Sequence, residues 1–392
     1  MSTRDPLRIG FIPLVDAASV LIAADKGFAA AEGLDITLIQ EVSWANVREK
    51  LNAGLFDAAH LLAPMAIASA LGDGQGAVPL MAPYILALNG NAITVSTDLN
   101  AALMANLGGE DATPLATAHA LAEVVTRRRS EGRDPLCFGM TFPFSCHNYL
   151  LRFWMAAAGI NPDEDVRLIV LPPPYMVESL RTGEVDGFCV GAPWNSVAVD
   201  FGLGHILHFG CEIVQRLTEK VLAVRETWAE EHRDILVRLM SAIANGANFV
   251  TTPENWDECA VLLSRPGRIG AEAQLIRRTL SGTLKVAPDG QSRSNPAYLV
   301  PGLGETARPD PAHAVWLYGQ MVHWRQTDPS KGSLAAASKV LSPELFSEAF
   351  PNVRGGKKAS GEPADGLGAF YGPPFGGATW DAFKERGSTG QD

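Results

Sequence analysis

Residues 135–195 read PLCFGMTFPFSCHNYLLRFWMAAAGINPDEDVRLIVLPPPYMVESLRTGEVDGFCVGAPWN, and this stretch decides the fold. An apolar run at 136–140 breaks into the polar loop TFPFSCHN. A helical pattern follows over 148–158, closed by Gly159 and Pro162, as helix ends usually are. Residues 166–171 read as a second strand, 176–182 as a short helix and 185–190 as a third strand. Strand, helix, strand, helix, strand is the unit of an open parallel sheet. In such sheets ligands lie beyond the carboxyl ends of the strands, where helix N-termini present backbone N–H groups. TFPFSCHN and GAPWN both occupy that position.

Working outward, the same grammar occurs 129 residues earlier. That displacement aligns Pro6 with Pro135, Gly10 with Gly139, Leu21 with Leu150, Gly54 with Gly183, Asp57 with Asp186 and Pro64 with Pro193. The coincidence falls on the punctuation of the unit. A period this long points to two equivalent lobes rather than a solenoid.

The first copy runs through a strand at 7–14, a helix beginning at Asp16, a strand at 34–40, a helix capped by Ser43, and a strand at 56–62. Asn89-Gly90 is a turn signal followed by a short strand at 93–95. After the second copy, 219–224 reads as a strand. Thr227 and Glu230 read as a capping box for a long helix whose apolar face holds Ile235, Leu236, Leu239, Met240 and Ile243. HAVWLYGQMVHWR (313–325) reads as an amphipathic helix with Trp316, Met321 and Trp324 in the core. From 355 the chain turns Gly/Pro-rich, an extended tail without a core of its own.

With 392 residues, 47% hydrophobic and 19% charged, the chain has room for two cores. Its formal net charge of −11, with Arg127–Arg129 the densest basic run, argues against nucleic acid as a direct partner. Five cysteines without a CxxC pair argue against a disulfide framework and for a reducing compartment. No run of 18 apolar residues is present, so no membrane span is expected. MSTRDP leads directly into the first strand without the features of an export signal; read as a native start, this places the protein in the cytoplasm.

No GxSxG, HExxH, phosphate-cradling loop or dinucleotide fingerprint is present. Cys146 and His147 are adjacent in sequence, which does not by itself pair nucleophile with base. No metal site or cofactor is expected.

GFIPLVDAASVLIAADKGF, SWANVREKL, FDAAHLLAPM, TFPFSCHNYLLRFWMAAAGINPDEDVRL, DGFCVGAPWN and EKVLAVRETWAEEH together resemble the nitrate-binding family of ABC-transporter solute receptors, which includes bicarbonate receptors. The resemblance covers roughly residues 7–350. It implies an α/β, two-lobed periplasmic-binding-protein-like (type II) fold with the ligand cleft between the lobes. The implied boundaries are 1–93 with 217–353 for the first lobe, 94–216 for the second, and 354–392 for the tail.

By the same resemblance, Trp44, Asn91, His147 and Lys220 are the anion-binding residues, with Ser145, Cys146, Trp194 and Asn195 beside them. An indole face covers a planar oxyanion while Lys, His and Asn donate to its oxygens. Lys220 stands where the bicarbonate receptors carry an acid, which favours nitrate or nitrite. Phe144, Cys146 and Ala192 depart from the family pattern, and fine selectivity is open. Each residue also has a plain structural reading: Trp44 as core, His147 as helix cap, Lys220 as a solvated strand end, Asn91 as a turn residue.

The family includes cytoplasmic NasS-type sensors that hold a NasT-type RNA-binding antitermination regulator. The expectation is therefore a cytoplasmic nitrate/nitrite sensor that acts through protein–protein contact and is not an enzyme. The alternatives are an exported nitrate-binding component of an importer, and a cytoplasmic, lyase-like enzyme on the same fold.

Overall fold

The structure, a computed structural model, describes residues 4–73 and 76–353; the Gly/Pro-rich tail lies outside them. Strands β1 (Asp5–Phe11), β2 (Leu34–Gln40), β3 (Ala58–Leu62) and β4 (Leu80–Asn89) come first. β5 (Asn91–Ser96), β6 (Cys137–Met140), β7 (Arg167–Val170), β8 (Gly187–Gly191) and β9 (Gly204–Phe209) follow, and then β10 (Thr218–Arg225). They form two sheets. The first has the order Leu299–Pro301, β4, β10, β3, β1, β2, and the second the order β7, β6, β8, β5, β9.

The two sheets repeat one plan. In the first, β1 lies parallel between β2 and β3, and β10 runs antiparallel beside β3. In the second, β6 lies parallel between β7 and β8, and β5 runs antiparallel beside β8. The 129-residue displacement carries Ala58–Leu62 onto Gly187–Gly191. The matched aspartates have matched duties: Asp57 Oδ2 accepts from Arg8 N at 2.8 Å, and Asp186 Oδ2 from Cys137 N at 2.8 Å. Gly54 and Gly183, at φ 76° and 74°, turn each helix back into its third strand where a side chain would be strained.

Local chemistry explains the helix starts. Ser43 Oγ accepts from Asn46 N, and Ser145 Oγ from Asn148 N, each closing an N-cap. The apolar face foreseen on the long helix forms the first lobe's core with Leu7, Ile9 and Val20. Each such fully buried large aliphatic side chain stabilises by about 1.5–3 kcal/mol. That helix, Arg233–Thr251, crosses Ala18–Asp25 at Gly246, where a Cβ would stand 2.2 Å from Ser19 O.

Several expectations change. Asn89 and Gly90 have the turn-like φ values of 58° and 94°, yet they make no hairpin: β4 ends one sheet and β5 starts the other. The change of sheet thus falls at Gly90, and a boundary after residue 93 would cut through β5. Residues 97–107, to which the sequence assigned no element, form a helix capped by Ser96. The Thr227–Glu230 capping box does not form. Glu226–Glu231 is a separate short helix without a side-chain cap, ending at His232 before the long helix.

Residues beyond 217 also do not keep to one lobe. Val286 O accepts from Ile206 N at 2.9 Å, Arg293 donates to Ile206 O and Leu207 O, and Arg278 pairs with Asp200. Trp316 stacks on Phe153 at 5.9 Å, and Gln326 joins Tyr149 Oη to Pro143 O. These segments brace the second sheet from the outside.

Candidate functional site

A buried polar cluster lies between the carboxyl ends of the two sheets. From the first come Asp16, in the Val15–Ala17 turn after β1; Trp44, opening the helix after β2; His60 in β3; and Glu219 and Lys220 in β10. From the second come Asn91, opening β5, and His147, in the first turn of the helix Cys146–Ala156. All are buried.

Lys220 Nζ lies 2.9 Å from Asp16 Oδ2, 2.8 Å from Glu219 Oε1 and 5.4 Å from the centre of the Trp44 ring. Asp16 Oδ1 faces His60 Nε2 at 2.9 Å, and the His60 ring lies 5.3 Å from that of Trp44. Asn91 Nδ2 donates to Glu219 Oε2 at 2.7 Å. His147 Nδ1 sits 3.5 Å from Glu219 Oε1 and 3.0 Å from Thr141 Oγ1. Glu219 therefore touches both lobes. Val15 N donating to Ala192 O at 2.9 Å, and Cys146 Sγ directed at Thr218 O at 3.4 Å, join the lobes on either side.

A β-bulge explains how consecutive residues reach one place. Side chains alternate along a regular strand, so Glu219 and Lys220 would face opposite ways. The register of β10 against β4 shifts on both sides of Lys220, and a bulge of this kind re-aims side chains. Lys220 then contacts its own neighbour.

The electrostatics follow from burial and pairing. Burial raises the Asp16 carboxyl, but Lys220 and then His60 outweigh it and hold the group at about 2. Burial lowers the Lys220 ammonium, and Asp16 and Glu219 more than reverse this. Burial, only partly offset by Glu219, drops His147 to about 4; burial likewise lowers His60. Both imidazoles are neutral near pH 7. One ammonium faces two carboxylates, so the trio carries one formal negative charge in excess.

Of the eight residues singled out in the sequence, Trp44, Asn91, His147 and Lys220 meet in this cluster. The other four have different duties. Ser145 caps its helix and donates to Phe142 O at 2.6 Å. Cys146 is fully buried, and burial first, then Glu219, pushes its thiol well up, the opposite of what a nucleophile needs. Asn195 is spent inside the second lobe, accepting from Thr94 Oγ1 at 2.8 Å and donating to Val190 O at 2.7 Å. Trp194 packs half-buried against the apolar group containing Met176 and Phe188.

Lys220 is not a solvated strand end: two of its three donors are taken by Asp16 and Glu219. Sequence reasoning missed Asp16, His60 and Glu219. Asp16 follows β1 and His60 lies within β3, both near the carboxyl ends of strands, a usable signal; Glu219 was hidden by the bulge. Among the described residues, Trp44 Nε1, His147 Nε2 and Asn91 Oδ1 are buried without a hydrogen-bond partner, and no group of three metal-ligating side chains converges.

A family model described as the NMT1-like family matches residues 2–264. The nitrate/nitrite binding protein NrtA of Nostoc sp. (strain PCC 7120) is 33% identical over 327 residues, covering 81% of this chain and 70% of that one. The bicarbonate-binding protein CmpA of Synechococcus elongatus is 27% identical over 358 residues, covering 88% and 77%. Some relatives are longer: the chain spans 51% of the nitrate import ATP-binding protein NrtC of Synechocystis sp., 31% identical over 357 residues and 89% of this chain. Thus it spans about half the length of the first curated relatives it matches. Among solved structures, the periplasmic nitrate-binding protein NrtA from Synechocystis PCC 6803 superposes with a TM-score of 0.81 at 24% identity, covering 90% of this chain and 89% of that one. The two-lobed periplasmic-binding-protein-like fold is therefore shared. No helix among the described residues is long and apolar enough to cross a membrane.

Proposed function

Because the chain belongs to the NMT1-like family, with nitrate- and bicarbonate-binding relatives, we propose that it is a receptor for a small planar oxyanion, nitrate or nitrite, held between its lobes. The observation that carries this is the meeting of Trp44 and Lys220 from one lobe with Asn91 and His147 from the other in one buried cluster. Trp44 Nε1 adds a donor with no hydrogen-bond partner among the described residues. A ligand gripped from both sides favours one lobe arrangement over others, and that preference is what a partner protein can read.

We further propose that the reader is a NasT-type antitermination regulator in the cytoplasm. Supporting this, all five cysteines are free and buried, as suits a reducing compartment. Bicarbonate is the second reading for the ligand: Glu219 puts an acceptor into the cluster that an O–H on the anion satisfies.

Isothermal titration with nitrate, nitrite, bicarbonate and sulfate tests the ligand. The expectation is one-site heat for nitrate or nitrite that is lost in Asn91→Asp, with thermal melting to show that the variant is folded. Heat with bicarbonate alone overturns the nitrate reading, and heat with none overturns the oxyanion site. Co-elution with a purified regulator of that type, with and without the anion, tests the partner. Absence of a complex under both conditions leaves the importer role standing instead.

A further inference from the structure

Lys220, Asn91 and His147 are the donors that an oxyanion between the lobes would use, and in the structure all three converge on one carboxylate of the chain itself. Glu219 Oε1 takes Lys220 Nζ at 2.8 Å and lies 3.5 Å from His147 Nδ1; Oε2 takes Asn91 Nδ2 at 2.7 Å. A carboxylate and a nitrate are both planar, with oxygens of similar reach. Glu219 is therefore chemically a competitor for the ligand's position, supplied by the bulge in β10.

We propose, resting on the oxyanion reading above, that Glu219 is the specificity-determining residue of the site: an internal carboxylate whose charge must be neutralised before a bare oxyanion binds. Its charge works against every bare monoanion, because two negative groups in contact range in a partly screened interior repel. An anion carrying its own O–H donor escapes part of this by donating to Glu219. A bare anion such as nitrate instead requires a proton from solvent.

The groups facing Glu219 restrict where that proton goes. Lys220 lies on its own strand, His60 on β3, His147 and the Cys146 thiol on the facing helix, and the Cys189 thiol on β8, with Asp16 across Lys220. The thiols and the ammonium already hold their protons. Asp16 is held strongly ionised by its partners. The neutral imidazoles of His147 and His60 remain to take the proton beside the carboxylate, and nitrate affinity rises as pH falls.

The test compares Glu219→Gln with wild type by titration calorimetry across a pH series, using nitrate and bicarbonate as separate probes. Gln keeps the shape and removes the charge. The variant is expected to bind nitrate at least about tenfold more tightly at neutral pH, to lose most of the pH dependence, and to shift the nitrate-to-bicarbonate preference towards nitrate. Proton uptake measured for the wild type in buffers of different ionisation enthalpy gives a check that does not depend on the variant's folding.

Wild-type binding of nitrate without proton uptake, or a Glu219→Gln affinity equal to wild type, overturns the inference while leaving the oxyanion receptor intact. Absence of binding by either protein at any pH takes both down.

Discussion

Lowering the pH from 7 towards 4 is a perturbation whose effect at His147 can be worked from the structure. The imidazole is fully buried and drops from the ordinary 6.5 to about 4, burial being the main cause. A histidine whose folded value is depressed supports the fold above the unfolded value, and that support is lost as pH falls through the window between the two. Each unit is worth about 1.4 kcal/mol. Integrating across the window gives about 2 kcal/mol lost between pH 7 and pH 5, and about 3 kcal/mol by pH 4. Against a whole-domain stability of about 5–15 kcal/mol, that is easily measured.

Other buried histidines contribute slopes of their own, so the informative quantity is the difference between wild type and His147→Gln. Urea unfolding, followed by fluorescence and far-ultraviolet dichroism at each pH, supplies it. The difference between the two curves should grow by about 2 kcal/mol from pH 7 to pH 5, the variant being the flatter. Parallel curves would mean that His147 takes up its proton as readily in the folded protein as in the unfolded chain, and its description as a group held neutral by burial would be wrong.

Two further outcomes follow from the same cluster. Lys220→Met leaves Asp16 and Glu219 without their shared cation and should cost about 3–5 kcal/mol, part of it recovered when Asp16→Asn is added; a loss in urea stability below about 1 kcal/mol would deny the buried pairing. With all five thiols buried, native protein should react with a thiol-specific chromogenic reagent far more slowly than unfolded protein. Bound nitrate should slow it further at Cys146, whose sulfur meets Thr218 across the lobes; fast labelling of Cys146 that nitrate leaves unchanged contradicts a shared closing surface.

Much of the scaffold was legible because local chemistry wrote it twice. Ser43 and Ser145 cap helices, Gly54 and Gly183 turn them back, and Asp57 and Asp186 fasten matching strand starts. These signals act within a few residues or repeat along the chain. Glu219 shows where legibility ends: alternation along a strand assigns it to the face opposite Lys220, and only pairing with β4 creates the bulge that brings it in. The bracing of the second lobe by Trp316 and Gln326 was hidden for a similar reason. An amphipathic helix announces that it buries a face, but not which lobe receives it.

Asn89 is a small detail with a mechanical consequence. Its Oδ1 accepts from Leu217 N at 2.9 Å, its Nδ2 donates to Gln215 O at 3.1 Å and Ala297 O at 2.9 Å, and its own N–H donates to Leu217 O at 2.9 Å. Two strands passing separately from lobe to lobe would let the halves swing, twist and slide. One side chain fastens both crossings together, so neither can shift without breaking hydrogen bonds to the other.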